Sequence, residues 1–479
     1  MEPAVALLAT LVAYKVALLG VGFWASRRAG TRDDFHLAGR GLGPWVASIS
    51  AAASSSSAWT LLGVSGAAYT WGLSAVWLFP ACMLGFVVNG WVVAGPLRRL
   101  SRETGTVTLL GLLAHGLDPR WARAMFRVGG TILIFSLLVY VASQFKAAGV
   151  TFAETFGMGE VAAILVGGGI VLVYTMSGGF WAVSVTDLLQ GIVMAVAAVL
   201  VPVVALDAVG GPTGLLEGLR AGRDALAGEN AALALDWTRG YAGPALLGFV
   251  VGTLGIGLGY PGQPHVVNRF MALREHRDVR KAAWIGVGWA CVIYSGMLIA
   301  GLCGRVLISD IGNNEAVLLA LTGELFPPIL AGVIIAAILS AIMSTADSQL
   351  LACGSTVSQD WGRGLLGNKS SGGSLDRLTV AGIGAAAIGA AILIDQSIFD
   401  SVLFAWSVLG AAFGPLLLVR LWKGPVGGPW ALASICAGAG TSIFWAFLPA
   451  LHEALYELVP AFILAFGIAM RGNNRWEKG

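Results

Sequence analysis

The stretch AAASSSSAWT, Ala51–Thr60, lies inside an apolar segment that runs from Trp45 to about Ala68. A helix in lipid has to satisfy its own backbone hydrogen bonds, because no water is present to do so. Serine side chains compete for those bonds by pairing with nearby backbone groups. Four consecutive serines at this depth therefore predict a membrane-spanning helix that is interrupted in its middle.

The composition of the whole chain is that of a membrane protein. Hydrophobic residues make up 57% of the 479 residues and charged residues only 11%, whereas soluble domains carry about 25% charged residues. We expect a single all-α transmembrane domain over residues 1–479. The first apolar segment, Pro3–Trp24, is predicted to be a retained helix rather than a cleaved signal, because its basic residues follow it instead of preceding it.

Thirteen transmembrane segments are predicted from runs of about 18 or more mainly apolar residues. They lie near residues 4–24, 45–70, 74–95, 124–148, 159–176, 184–206, 241–261, 283–304, 327–358, 378–395, 399–419, 428–449 and 453–470. Sorted by alternate loops, 23 of the 29 lysines and arginines fall on one side of the membrane and four on the other. Because positively charged loops stay in the cytoplasm, this skew predicts an external N-terminus and a cytoplasmic C-terminus.

A second interruption is predicted in the seventh segment, five segments after the first. The run GTLGIGLGYPGQPH, Gly252–His265, holds five glycines and two prolines, which weaken or end helices. Transporters built from inverted repeats carry broken helices at corresponding positions of their two halves. We therefore predict two five-helix repeats, at about 45–206 and about 241–419. The alternative is that glycine and serine in both runs serve close helix packing.

Oxygen-bearing groups share one face of the ninth segment, in LSAIMSTADSQLL, Leu339–Leu351. Ala341, Ser344 and Thr345 have the i, i+3, i+4 spacing that places them on one helical face. Hard cations bind oxygen ligands, so hydroxyls and unwound carbonyls suit Na⁺. The alternative is that both hydroxyls bond their own helix backbone or join neighbouring helices.

Several motifs resemble the sodium:solute symporter family, and within it the members that transport proline. They are DDFHLAGRGLGPWVASISAAASSSSAW (33–59), YTMSGGFWAVSVTDLLQG (174–191), GLGYPGQPHVVNRFMA (257–272), AIMSTADSQLL (341–351) and FAWSVLGAAFGP (404–415). The resemblance implies thirteen helices, a leucine-transporter-type five-plus-five inverted repeat and Na⁺-coupled uptake of a small solute by alternating access. It also implies a multi-pass protein of the bacterial inner (plasma) membrane.

The family's sodium site, carried over to this chain, consists of main-chain and hydroxyl oxygens. The resemblance implies as Na⁺ ligands the backbone carbonyls of Ala53, Ser56 and Ala341 and the hydroxyls of Ser344 and Thr345. Asp187 matches a family aspartate on the sodium path; alternatively it is a helix-start acid that stabilises the helix dipole. Arg40 matches an arginine that affects coupling; alternatively it is an interfacial residue of the positive-inside pattern.

The acidic residues depart from the family pattern. Proline symporters carry an aspartate where this chain has Ser55, so Na⁺ is expected to bind more weakly unless Asp347 restores the charge. Asp347 is one of few acids inside a predicted segment, and such a residue is functional by default. Its predicted partner is the bound cation or Lys146, which alternatively pairs with a substrate carboxylate or snorkels to the surface. A purely structural role of Asp347 is the remaining alternative.

The predicted substrate site adjoins the two interruptions. Tyr140 and Tyr260 match tyrosines that line the proline site of relatives, although tyrosine is also common in helical cores. Ile256 stands where the relatives have a tryptophan, and Gln144 lies one turn beyond Tyr140 on the same face. Trp59 is expected to pack either against the substrate or in the core.

These features predict a sodium-coupled symporter that imports proline or a related amino acid, with Na⁺ as the coupling ion. The alternatives are a proton-coupled symporter, a symporter of another organic acid, and a membrane sensor that binds a solute without transporting it. No enzymatic activity is expected, because the five histidines are scattered without metal or nucleophile-base spacing. Beyond a small-molecule substrate and membrane lipid, we predict no nucleic acid and no obligatory protein partner.

Overall fold

The computed structural model describes residues 3–26, 37–176, 180–225, 234–309, 311–361, 374–393 and 395–476. Within these ranges the chain forms α-helices joined by 3₁₀ and π-helical turns, without a β-strand, so the predicted all-α class is confirmed. In chain order the helices are α1 (Pro3–Ser26), α2 (Pro44–Ser55), α3 (Val64–Trp71), α4 (Leu78–Val87), α5 (Ala94–Thr104), α6 (Leu109–Ala114), α7 (Pro119–Phe156), α8 (Glu160–Met176), α9 (Phe180–Ala208), α10 (Gly211–Ala225), α11 (Gly243–Gly255), α12 (Pro264–Met271), α13 (His276–Leu307), α14 (Val317–Leu325), α15 (Pro328–Ser355), α16 (Ser374–Leu393), α17 (Ile398–Trp422), α18 (Gly428–Ala446), α19 (Pro449–Ala454) and α20 (Leu458–Trp476).

Eight of the described helical stretches are long and apolar enough to cross a membrane, and three shorter apolar helices accompany them. Each of the thirteen predicted segments overlaps a described helix. One of the eight stretches, Trp59–Thr104, contains the end of the second predicted segment and the whole of the third, and Gly72, with φ +61°, ends α3 between them. A Cβ at Gly72 would also lie 2.6 Å from the carbonyl oxygen of Ala234. The number of membrane crossings stays a prediction.

The predicted interruption of the second segment is confirmed. α2 ends at Ser55, and Ser56 has φ −101° and ψ 73°, outside the helical region. A π-helical turn at Trp59–Gly63 then leads into α3. The Ser57 hydroxyl accepts the N–H of Trp59 at 3.2 Å, so a serine in the run takes over a backbone bond as the sequence predicts.

The interruption of the seventh segment is confirmed as well. α11 ends at Gly255, and a 3₁₀ stretch follows at Ile256–Gly262. Gln263 is extended, with φ −91° and ψ 103°, before α12 starts at Pro264. Proline lacks the N–H that an uninterrupted helix requires. Both breaks therefore arise from residues that weaken the helical backbone.

The two interruptions lie against the most buried helices of the molecule. In the apolar parts of α15 and α17, 83% of the residues are buried, compared with 17% in α1. α15 and α17 are therefore central and α1 is peripheral. α2 packs against α9, α12, α13 and α15, and α1 packs against α9 and α15. The hydroxyl face of α15 is thereby brought to the first interruption.

Four described helices, α6, α10, α12 and α14, lie in segments that the sequence predicted as loops. α10 follows the sixth predicted segment and packs against α9 and α13. α14 precedes the ninth segment and packs against α13 and α15. A search for uniformly apolar runs misses such helices because α10 is amphipathic and α14 is short.

Candidate functional site

The hydroxyls of α15 meet the end of α2. Ser344 Oγ donates to the carbonyl oxygens of Ala53 (3.2 Å) and Ala341 (3.3 Å). Thr345 Oγ1 donates to the carbonyl oxygen of Ser54 at 3.1 Å. All five residues are buried. The structure therefore brings together four of the five predicted sodium ligands, and it adds the Ser54 carbonyl, which the sequence did not indicate.

Ser56 and Ser55 make different contacts. The Ser56 N–H donates to the carbonyl of Ala52 (2.9 Å), and its hydroxyl lies 3.5 Å from the Tyr294 hydroxyl. Among the described contacts of Ser56, none reaches α15. Ser55 Oγ donates to the Ala52 carbonyl at 2.9 Å and lines a small cavity together with Asn89. The carbonyl of Ser56 as a sodium ligand stays a prediction.

A buried ion pair lies next to the hydroxyl site. Arg269 Nη2 donates to Asp187 Oδ2 at 3.0 Å, and both side chains are at most 1% exposed. The same carboxylate oxygen accepts from Ser50 Oγ (2.7 Å) and Ser54 Oγ (3.3 Å) on α2. Arg269 also donates to Ser348 on α15. The pair joins four helices, α2, α9, α12 and α15. Two of them, α2 and α15, form the hydroxyl site.

The position of Asp187 in its helix corrects one sequence interpretation. Asp187 lies in the second turn of α9, with Phe180 as the first described helical residue, so the helix-start alternative is wrong. Arg269, one of the 23 basic residues on the predicted cytoplasmic side, is buried, and its guanidinium lies 5.0 Å from the centre of the Phe180 ring. Hydropathy and loop counting do not predict that Arg269 is buried, because the short half-helix that follows a break looks like a loop.

Asp347 is buried beside the ion pair. Its Oδ1 accepts from Ser348 Oγ at 3.3 Å, whereas Oδ2 has no hydrogen-bond partner among the described residues. The predicted partner Lys146 lies elsewhere: its Nζ donates to the carbonyl of Gln396 at 2.9 Å. Among the described residues, the charged neighbours of Asp347 are instead Asp187 and Arg269, and Asp347 in turn acts electrostatically on Lys15. Lys146 as the partner of Asp347 is therefore wrong.

Aromatic residues from both halves of the chain surround the two interruptions. The Tyr260 ring contacts the Trp406 ring edge to face, with centroids 4.7 Å apart, and the Tyr140 ring lies 6.5 Å from Trp406. Trp406 Nε1 donates to the carbonyl of Ile256 at 3.0 Å. Tyr260 also bonds the Tyr294 hydroxyl at 3.1 Å. Three predicted substrate residues are thus assembled around Trp406, which the sequence did not single out.

Gln144 and Trp59 place unpaired donors at the first interruption. Gln144 Oε1 accepts the N–H of Ala58 at 3.0 Å, and its Nε2 has no partner among the described residues. Trp59 Nε1 is likewise buried without a described partner, while its ring stacks on Phe399 at 5.4 Å. Tyr140 joins the same region, because its hydroxyl donates to Ser57 Oγ at 3.3 Å. Buried donors without protein partners are costly, so these two atoms are free to bind a ligand or an ordered water.

Arg40 lies apart from this cluster, at the predicted cytoplasmic end. Its guanidinium donates to Ser101 Oγ (2.8 Å) and to the carbonyl of Thr106 (2.9 Å). Arg102 in turn donates to the carbonyl of Arg40 at 3.1 Å. The structure thus places Arg40 where α5 ends; an influence on coupling stays a prediction.

Comparison with known proteins gives consistent matches over nearly the whole chain. The profile of the sodium:solute symporter family matches residues 35–438. The chain is 34% identical to the high-affinity proline transporter of Bacillus subtilis over 93% of each chain. It is 33% identical to the sodium/proline symporter of Salmonella typhimurium over 95% of this chain and 90% of that one.

A solved structure of a Na⁺-coupled sialic acid symporter, in a substrate-bound outward-open state, has a TM-score of 0.77 to this chain. It is 19% identical and covers 97% of this chain and 98% of that one. At this identity the likeness shows the fold, and the predicted leucine-transporter-type fold is confirmed. The division into repeats at about 45–206 and about 241–419 stays a prediction.

Proposed function

The chain belongs to the sodium:solute symporter family and is an integral multi-pass membrane protein, and on that basis we propose that it imports proline together with Na⁺. The observation that carries this proposal is the contact of Ser344 Oγ with the carbonyl oxygens of Ala53 and Ala341. The contact joins the interruption of α2 to α15. An ion bound there would therefore be held by two elements that move relative to each other in alternating access.

The chemistry of the oxygens suits Na⁺. The cluster offers neutral carbonyl and hydroxyl oxygens, which are the ligands that hard cations prefer. In the structure the hydroxyls of Ser344 and Thr345 point their protons at carbonyls. On sodium binding each hydroxyl would turn its proton away and present a lone pair, and the carbonyls would be freed for the ion. The predicted Ser56 carbonyl completes the proposed set.

The substrate is proposed to lie between Tyr140, Tyr260 and Trp406. The rings provide an apolar surface for the pyrrolidine ring of proline. The carbonyl of Ile256 accepts a hydrogen bond from Trp406 and so lies beside this surface. The unpaired donors Gln144 Nε2 and Trp59 Nε1 suit the carboxylate. Support for proline comes also from the names of the relatives, a proline transporter and a sodium/proline symporter.

We propose the predicted orientation, with the N-terminus outside and the C-terminus in the cytoplasm, in a bacterial-type plasma membrane. We further propose that membrane lipid and the small-molecule substrate are its partners, that no nucleic acid or obligatory protein partner is needed, and that the chain has no enzymatic activity. The positive-inside skew of the loops supports the orientation.

The function is tested with purified protein in liposomes and radiolabelled proline. We expect accumulation when an inward Na⁺ gradient is imposed, and none when choline replaces Na⁺. Uptake that ignores Na⁺ and follows an inward proton gradient would favour the proton-coupled alternative. Proline binding without accumulation would favour a sensor. Absence of proline uptake under an inward Na⁺ gradient, together with Na⁺-driven uptake of another labelled organic acid, would favour a different substrate.

A further inference from the structure

Lys15 is a cation at the middle of an apolar helix. It is the thirteenth residue of the 24-residue helix α1, and it lies inside the span Val5–Trp24. At about 1.5 Å per residue, it is on the order of 18 Å from either end of the helix. A lysine side chain is too short to return its ammonium group to the membrane surface from there. A charged group at this depth faces the protein interior and requires a partner.

The contacts of α1 direct Lys15 toward α15. The neighbouring Tyr14 hydroxyl lies 2.5 Å from Ser340 Oγ. One turn further along α15, the Lys15 ammonium contacts the sulfur of Met343. A thioether is only a weak acceptor and carries no charge. Met343 therefore fixes the position of the ammonium without neutralising it.

Asp347 is the anion that this ammonium lacks. It follows Met343 by one helical turn, and Lys15 and Asp347 interact electrostatically without a contact within 4 Å. The Oδ2 atom of Asp347 is buried and has no described hydrogen-bond partner. The other nearby acid, Asp187, is already paired with Arg269 at 3.0 Å. Among the described residues, the remaining titratable neighbours of this cluster are the phenols of Tyr14 and Tyr174, which are neutral in their usual form.

The same cation also lies close to the proposed sodium site. Ser344 directly follows Met343, and Thr345 comes next on α15. In its protonated form, the Lys15 ammonium places a positive charge beside these hydroxyls, and that charge opposes the arrival of a second one. We propose that Lys15 is a built-in cation that balances Asp347 and weakens Na⁺ binding at the neighbouring hydroxyls. This inference rests on the proposed sodium site.

The sodium half of the proposal is tested by binding. For two like charges in the same cluster, at an effective dielectric constant of about 20, Coulomb's law gives an effect on the order of tenfold. We therefore expect Lys15→Met to lower the half-saturating Na⁺ concentration by that factor and Lys15→Arg, which keeps the charge, to leave it within about threefold. Lys146→Met removes a lysine that reaches Gln396 instead, and it serves as the control. A Lys15→Met variant with wild-type sodium dependence would overturn the proposal.

The charge balance is tested separately, in sodium-free buffer, by thermal unfolding of Lys15→Met, Asp347→Asn and the double variant. Each single change leaves either the buried Asp347 or the half-buried Lys15 without its counterpart, so both midpoints should fall. The double variant removes both charges, and its midpoint should exceed that of either single variant. Additive losses would overturn the pairing. A different outcome is that the midpoints of the three variants are not additive but the wild-type protein binds no Na⁺. That result would refute the sodium site, and with it the sodium half of this inference, while the pairing would stand.

Discussion

Removal of the α15 hydroxyls should weaken sodium binding far more than it weakens the fold. Ser344 Oγ contacts two carbonyls, and Thr345 Oγ1 contacts a third. A polar contact to a charged group contributes about 1.5–3 kcal/mol, whereas a neutral hydrogen bond contributes about 0.5–1.5 kcal/mol. At about 1.4 kcal/mol per factor of ten, each lost hydroxyl should raise the half-saturating Na⁺ concentration about 10- to 150-fold.

The assay compares Ser344→Ala and Thr345→Val with wild type. Valine keeps the shape of threonine and removes the hydroxyl, so packing is preserved. Sodium binding is followed by the thermal midpoint of purified protein over a NaCl series, with choline chloride holding the ionic strength constant. Ser136→Ala is the matched control, because Ser136 is buried and its one hydrogen bond among the described residues is to the carbonyl of Ile132 in its own helix, at 2.8 Å.

The reasoning would be refuted by a sodium dependence that is the same in Ser344→Ala, Thr345→Val and the control. In that case the hydroxyls serve only to join α15 to α2, which is the alternative that the sequence left open. A loss of stability without any change in the sodium midpoint has the same meaning.

Three further predictions concern other parts of the site and its surroundings. Arg269→Gln leaves the buried Asp187 without its counter-charge, so the free energy of unfolding should fall by about 3–5 kcal/mol and recover in part when Asp187→Asn is added; chemical unfolding of all three variants measures this. Gln144→Leu removes an unpaired donor, so the half-saturating proline concentration should rise about 10-fold or more while the sodium midpoint stays unchanged. Equilibrium binding of labelled proline measures the first quantity, and a sodium midpoint that shifts together with it would contradict the prediction. His452 bonds the buried carboxylate of Glu457 at 3.1 Å, and this bond raises the pKa of His452. The resulting stability is present below about pH 6.5 and is lost as pH rises through the raised value, so His452→Gln should flatten the pH dependence of the thermal midpoint between pH 6 and 9. Because the imidazole is 51% exposed, this effect should stay under about 1 kcal/mol.

The sequence predicts the parts of this site that depend on local backbone chemistry. The two interruptions follow from serine, glycine and proline, whose effects on a helix act within a few residues. The shared face of Ala341, Ser344 and Thr345 follows from helical spacing alone. The structure agrees with each of these, and the family resemblance supplied the expectation that α2 and α15 meet.

The sequence does not predict the partners that come from distant segments. Arg269 pairs with Asp187 across 82 positions, and Lys15 contacts Met343 across 328. Neither pairing has a local signature, and loop counting assigned Arg269 to the cytoplasm. Lys146 was assigned to Asp347 only because both were charges within predicted segments. Which charges meet is decided by how the helices pack, and that information is absent from periodicity and hydropathy.

The charges around the middle of α15 bear on how membrane voltage acts on transport. In their usual ionised forms, Asp187 and Asp347 are balanced by Arg269 and Lys15, and the proposed sodium ligands are neutral oxygens. Sodium then adds one positive charge to this region, and zwitterionic proline adds none. Moving one charge through the membrane potential contributes about 2.3 kcal/mol per 100 mV. A negative interior therefore draws the loaded carrier inward, while the empty carrier returns without moving charge. With an aspartate in place of Ser55, the loaded core would be neutral and the empty carrier would be charged. Membrane voltage would then act on the return of the empty carrier instead of on the loaded carrier.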